Sequence, residues 1–384
     1  MNLFSTPWDI VSPLLVWLLG LPVARWLGSQ YGQTQKRSLL LYVWHTIWCI
    51  AYLIFTFTNG GDALMYYSEG LQGLPDFELG TQFVIYFTYF LASLLQLSYL
   101  SCFLIFNIIG FVGFIGLDAI LQKLTYAQSN LLKRLAALVI FLPSVSFWSS
   151  AIGKDGFAFS AAVLALWASL NLRSRIPLMI LAVLAMLLVR PHVAAFMVLA
   201  LMVDVVFKSK LSLIPRALIA LIVLVGAIFL FPFAAEYAGL ADIDTAESAS
   251  AYIEQRQGYN QDGAGGIDLS KLPLPAQLLF YLLRPAIFDV RSPLSFFAAI
   301  DNFILVLVFS LAINGLLLGR RIHSQVSIAF LLTYSFLAWI VFSTTTANLG
   351  ISIRQKWMFL PMLLYLTFSL AGRFRRLSIL SSSS

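Results

Sequence analysis

Charge is the scarcest commodity in this sequence: Asp, Glu, Lys and Arg together make up 11% of its 384 residues. A water-soluble domain of that size could not cover its apolar surface with so few charges, and a disordered chain needs far more of them. Cysteine occurs twice, as Cys49 and Cys102, each inside an apolar run, so neither a disulfide framework nor a thiolate metal site can be built. Histidine occurs three times. His45 is expected at a helix start and His323 in a cytoplasmic turn, too far apart to join His192 on a metal. The first residues, MNLFSTPWDI, lack the basic stretch and small-residue cleavage site of a removable signal, and the first apolar run is expected to stay as a spanning helix.

What is present in quantity is hydrophobicity. Apolar residues are 60% of the chain, and at about 20 per bilayer crossing this allows up to about 11 spans. The fold class is therefore all-α, a single polytopic transmembrane domain over residues 1–384. Apolar runs fall near 9–27, 38–58, 82–121, 135–152, 157–172, 176–190, 193–207, 213–235, 276–288, 295–318, 326–345 and 357–371. The run at 82–121 is long enough for two spans, or for an interfacial helix and one span. The run at 276–288 is too short to cross and reads as re-entrant or interfacial. No internal repeat at a fixed period is visible.

Basic residues settle the crossing count. Arg25, Lys36 and Arg37; Lys123, Lys133 and Arg134; Arg173 and Arg175; Lys208, Lys210 and Arg216; Arg320 and Arg321; and Arg373, Arg375 and Arg376 collect in alternate connecting segments. The positive-inside rule assigns these to the cytoplasm. The alternation holds if 82–121 crosses once and 276–288 does not cross, which gives about 11 spans with the N-terminus outside and the C-terminus cytoplasmic. The net charge of +7 is thus a topological bias and does not call for nucleic acid. Two outer regions stand out: a first loop over 59–81, and a large loop over 236–294 that includes the re-entrant segment.

Against this bias, basic residues remain on the outer side at Lys154, Arg190, Arg256, Lys271, Arg284, Arg291, Arg354 and Lys356. In the first outer loop, Thr58-Asn59-Gly60-Gly61-Asp62 puts a carboxylate directly after a span, with Tyr66 one helical turn on. Asp62 is placed either to cap a helix or, with a pKa raised by partial desolvation, to act as general base on a hydroxyl offered from the aqueous side. Pro143 is expected to kink its helix and Trp148 to sit at the interface. Lys154 and Asp155 then form either a solvated turn or a phosphate contact. Arg190-Pro191-His192 interrupts a stretch otherwise free of ionisable groups, as an interfacial anchor or as an anion site in which His192 is an acid, base or phosphate donor. Arg284 lies inside the non-crossing run, and Arg354-x-Lys356 precedes the last span. Guanidinium and ammonium groups arriving from separate hairpins suit one anion near the outer leaflet.

A membrane-bound anion that also carries a reactive group is a polyprenyl phosphate or diphosphate bearing sugar, and its phosphate is a leaving group that cations stabilise. The leading chemistry is glycosyl transfer, with Tyr66 and Trp148 as sugar or acceptor contacts. The alternative is a lipid-linked oligosaccharide flippase or transporter, which should place charges at mid-membrane or show two related halves. The polar, glycine-rich stretch 257–266 within the large loop is either a lid, an acceptor contact or a plain connector.

These motifs together resemble the bacterial Wzy-like and EpsG-like polysaccharide polymerases, related to the GT-C class of lipid-linked glycosyltransferases. The motifs are a first-loop carboxylate, a Pro-x-x-x-x-Trp segment ending in Lys-Asp, an Arg at the next outer helix end, a late Arg-Pro and an Arg-x-Lys before the last span. The resemblance implies Asp62 as catalytic base and Arg190, Arg284, Arg354, Lys154 and Lys356 as contacts for the carrier phosphates. It also implies a polyprenyl-linked donor, a glycan acceptor and other polysaccharide assembly proteins as partners, in a bacterial cytoplasmic membrane with the site facing out. No Asp-x-Asp or Glu-x-Asp follows the span directly; Asp76-x-Glu78 comes later, so neither a divalent metal nor another cofactor is expected.

Overall fold

The computed structural model describes residues 5–208, 272–322 and 327–372, together with Leu221, Val225, Ala251, Glu254 and Gln255. The rest of the apolar run 213–235, most of the large outer loop with its stretch 257–266, Arg256, Lys271, His323 and the basic residues at 373–376 lie outside them. Every regular element among the described residues is helical. Six helices among the described residues are long and apolar enough to cross a membrane by length and composition: Trp8–Tyr31 (α1), Gln35–Asn59 (α2), Tyr99–Thr125 (α5), Asn130–Ser149, Pro293–Leu317 (α12) and Ile328–Thr345 (α13). Shorter apolar helices include Ile176–Val189 (α9), Leu274–Leu283 (α11) and Leu360–Ala371 (α15).

Local sequence explains several boundaries. The run 82–121 divides into a helical segment Thr81–Leu94 and the single long helix α5, with Ser98 capping α5 through the backbone N–H of Ser101. The span Asn130–Ser149 is itself interrupted. Its first part, α6 (Asn130–Ile140), ends before Pro143, which opens α7 (Pro143–Ser149) at its first turn. Proline here starts a new helix rather than kinking an old one, because its missing N–H costs nothing at that position.

Helix α5 is the axis of the bundle. It packs on α1 and α2 and on α8 (Lys154–Ser169), which in turn packs on α9. Phe103, Phe106, Phe111 and Phe114 of α5 are fully buried. Between them, glycines permit close approach: a Cβ on Gly110 would lie 1.8 Å from the Ser149 carbonyl oxygen. Small residues at such crossings are how helices pack where lipid supplies no hydrophobic drive. Helix α10 (Pro191–Lys208) packs on α13, and α12 on α15.

Buried polar groups tie these helices together. His45 lies in the third turn of α2 rather than at a helix start, fully buried, its ring nitrogens 2.5 Å from Asn107 Oδ1 and 3.0 Å from Ser149 Oγ. At the other end of α5 the Asp118 carboxylate is buried and accepts from Arg37 (Nη2 at 2.6 Å, Nε at 3.2 Å), from Gln33 at 2.6 Å and from Gln122 at 2.6 Å. Bidentate pairing of this kind orients as well as attracts. Asp118→Ala would leave four N–H donors on three side chains short of an acceptor and should cost about 3 kcal/mol, read as a lower melting temperature of the detergent-solubilised chain. An unchanged melting temperature would show the clamp to be dispensable.

Candidate active site

The site is assembled around two carboxylates. Gly60 and Gly61 both have positive φ (70° and 130°), which lets the chain leave α2 and start α3 (Asp62–Gln72) within two residues. Asp62 is the first residue of α3, one place after its N-cap Gly61. Its Oδ2 accepts from Arg354 Nη1 at 3.0 Å, across 292 positions of sequence. The desolvation expected for Asp62 is not found, since its side chain is 53% exposed.

Arg354 comes from α14 (Leu349–Gln355), a two-turn helix begun by Asn348, whose Oδ1 accepts from the backbone N–H of Gly350 at 2.8 Å and of Ile351 at 3.3 Å. Its Nε lies 4.0 Å from Asp155 Oδ2, and its guanidinium stands 5.9 Å from the centre of the Trp148 ring. Asp155, in the first turn of α8, accepts from Arg190 Nη2 at 2.9 Å. Arg190 ends α9, where its backbone has left helical geometry. Asp62, Arg354, Asp155 and Arg190 thus form one alternating chain of charge drawn from four helices or helix ends. Burial pushes the Arg354 guanidinium toward losing its proton, but the Asp155 and Asp62 carboxylates outweigh it and hold the group well above its usual range.

Three N–H donors in this chain are unspent. Arg190 Nε, Arg354 Nε and Trp148 Nε1 are buried and have no hydrogen-bond partner among the described residues. Buried donors without acceptors cost free energy and are rare. Two of them belong to the guanidinium groups of the chain itself and the third to the indole beside Arg354.

Tyr66 lies within electrostatic reach of Asp62, Asp155, Arg190 and Arg354, but its ring is buried against the Gly153 turn, which leaves no open face for a sugar. Burial raises its hydroxyl above the usual tyrosine range. Tyr281 of α11 approaches Arg190 and Asp155 as well, and donates to Gln355 Oε1 at 3.4 Å, which also accepts from Thr346 at 3.0 Å. The His192 ring meets Phe196 and Phe342 edge-on.

The other predicted residues make contacts of their own. Lys154 donates to Thr81 at 2.8 Å. Arg284 forms a bidentate pair with Asp289, its Nε at 2.9 Å from Oδ2, and lies over Phe280 and Phe288 in a turn closed by the Ala286 N–H on the same carboxylate. That bond to Arg284 holds the Asp289 carboxyl below the usual range. Lys356 is fully buried and bonded to Asn302, so it belongs to the interior and not to the exposed end of the site. Among the described residues no three His, Cys, Asp or Glu side chains gather as a metal would require.

The sequence reading missed Asp155 as the carboxylate shared by two arginines, and it missed Tyr281 and Gln355 altogether. Asp155 stood in a quoted motif, yet beside Lys154 it read equally as a solvated turn. No known protein family, curated protein or solved structure matches this chain, and its chemistry is read from the geometry of Asp62, Arg354, Asp155 and Arg190 alone.

Proposed function

We propose that this chain is a membrane glycosyltransferase that uses a polyprenyl-(di)phosphate-linked sugar or oligosaccharide to build surface polysaccharide on the outer face of a bacterial cytoplasmic membrane. With it goes the finer topology expected above: about 11 spans, N-terminus outside, C-terminus cytoplasmic, in a GT-C-like arrangement. The observation that carries this reading is the Asp62–Arg354–Asp155–Arg190 chain, in which an exposed carboxylate is held by one of two arginines whose buried Nε donors are unspent.

The chemistry follows from that arrangement. The carrier phosphate takes up the N–H groups of Arg190 and Arg354, and in competing for Arg354 it releases Asp62. The acceptor hydroxyl oxygen then bonds to the anomeric carbon and gives its proton to the Asp62 carboxylate. The bond from that carbon to the phosphate oxygen breaks, and the electron pair leaves on the phosphate, neutralised by the two guanidinium groups. Trp148 Nε1 is a further donor to phosphate or sugar oxygen. Arg284, engaged with Asp289, is a second phosphate contact only for a ligand that displaces that carboxylate.

The test is complementation of a deletion strain with Arg190→Ala, with protein level checked by immunoblot, polymer sized and lipid-linked oligosaccharide assayed in each leaflet. Loss of polymer with lipid-linked units on the outer leaflet is the expected result. Units trapped on the inner leaflet would make the protein a flippase, and full-length polymer would remove Arg190 from the site.

A further inference from the structure

At the end of the bundle opposite Asp62, three helices and a loop close on one indole. Trp167 lies in the last turn of α8, largely buried, with Tyr31 from the end of α1 edge-on to it at 4.9 Å. Lys123, in the last turn of α5, places its ammonium 4.4 Å from the ring centre. Arg175, just before α9, places its guanidinium carbon 4.5 Å from the same centre and donates from Nη1 to the Trp167 carbonyl at 2.7 Å.

One cation at a helix C-terminus is accounted for by the carbonyl dipole, and one cation on an indole by the ring's quadrupole. Two cations brought to one ring repel each other. The ion pairs among the described residues lie elsewhere, and no carboxylate comes within salt-bridge distance of Lys123 or Arg175. Burial adds to the shortage of negative charge, holding the Arg175 guanidinium below its usual range against the pull of Tyr31. Directly beyond Arg175, Ile176, Ile180 and Leu184 are exposed at four-residue spacing, an apolar face of α9 running away from the two cations.

We propose that Lys123, Arg175 and Trp167 form a phosphate-binding site, independent of the Asp62 site. The phosphate oxygens accept from the Lys123 ammonium and from the Arg175 N–H groups not used on Trp167. The chemistry is that of a phosphate monoanion or diester, supplied by an anionic phospholipid headgroup or by free phosphate. The exposed face of α9 offers an acyl chain a path where the headgroup sits, which matches the lipid source.

The experiment uses the full chain in nanodiscs of equal parts phosphatidylglycerol and phosphatidylcholine, released for native mass spectrometry. The wild type should retain phosphatidylglycerol over phosphatidylcholine, and the Lys123→Ala/Arg175→Gln double variant should bind it at least about tenfold more weakly. Lys123→Arg, which keeps the charge, should retain it and shows that the helix ends remain folded. In nanodiscs of phosphatidylcholine alone, millimolar inorganic phosphate is the second probe. Protection against thermal unfolding that the double variant lacks, without selective lipid retention, would assign the same site to a soluble phosphate. Equal lipid retention by wild type and double variant, with no phosphate protection in either, overturns the proposal.

Discussion

Cells carrying Asp62→Asn in place of the wild-type chain should make little or no polymer while the protein inserts and accumulates normally. Asparagine keeps the size and can still accept from Arg354 Nη1, so the pair observed at 3.0 Å has a neutral stand-in and the fold has little reason to change. What asparagine cannot do is take a proton. A positioned general base contributes about 10²–10⁴-fold, and turnover in membranes supplied with lipid-linked donor should fall within that range while donor binding holds. Asp62→Glu should restore part of the rate. Arg354→Gln should behave oppositely, with donor binding lost first, because in the proposed mechanism the guanidinium held between Asp62 and Asp155 is the anion contact. A double-mutant cycle across Asp62 and Arg354 measures their coupling directly. Normal turnover in Asp62→Asn would remove Asp62 as the base.

The second large effect is on stability. Lys356 is fully buried, its ammonium bonded to Asn302 Oδ1, while Asn302 Nδ2 donates to the Pro285 carbonyl at 2.9 Å. Beside it the buried Asp301 carboxylate accepts from the Ser144 backbone N–H at 2.8 Å, and Trp357 Nε1 donates to the Ser144 hydroxyl at 3.2 Å. This node joins α7, the turn bearing Arg284, α12 and the segment between α14 and α15. Lys356→Met would leave Asn302 Oδ1 without its donor and remove the positive charge nearest the buried Asp301 carboxylate, and should cost about 3 kcal/mol. Lys356→Met/Asp301→Asn should recover part of that loss, since it removes both charges together. Burial also lowers the Lys356 ammonium from 10.5 to about 8, against the pull of Asp301. The folded chain therefore binds this proton more weakly than the unfolded one. Stability should climb as pH rises from about 8 toward 10.5, and the climb should be missing in Lys356→Met. Thermal unfolding in detergent across that range reads both effects; a flat profile in the wild type would contradict them.

Most of the helices could be read from the sequence because each apolar run is long and bounded by polar or helix-breaking residues. The runs at 9–27, 38–58, 157–172 and 176–190 lie within a few residues of α1, α2, α8 and α9. The shortness of 276–288 likewise foretold α11, ten residues long. Pairing was much less legible. Arg354 and Lys356 are two positions apart, and residues so spaced on helical backbone face different ways; nothing in Arg-x-Lys says which one meets the site and which the interior. Asp155 and Arg190 are 35 positions apart, brought together only by how α8 packs on α9. His45 misled for a simpler reason: α2 begins at Gln35, before the apolar run does, and the histidine is carried into the bundle.

Asp62 and Arg354 belong to opposite ends of translation. The carboxylate emerges from the ribosome among the first helices, and the arginine that holds it follows almost 300 residues later, shortly before α15. At the usual pace of synthesis, about 5–20 residues per second, Asp62 waits many seconds before its partner exists. During that interval the early helices can insert, and on the proposed function a phosphate-linked sugar that reaches them finds Asp62 without its arginine. On the proposed function, a chain interrupted before Arg354 is silent, because Asp62 meets its arginine only after α14 has been made.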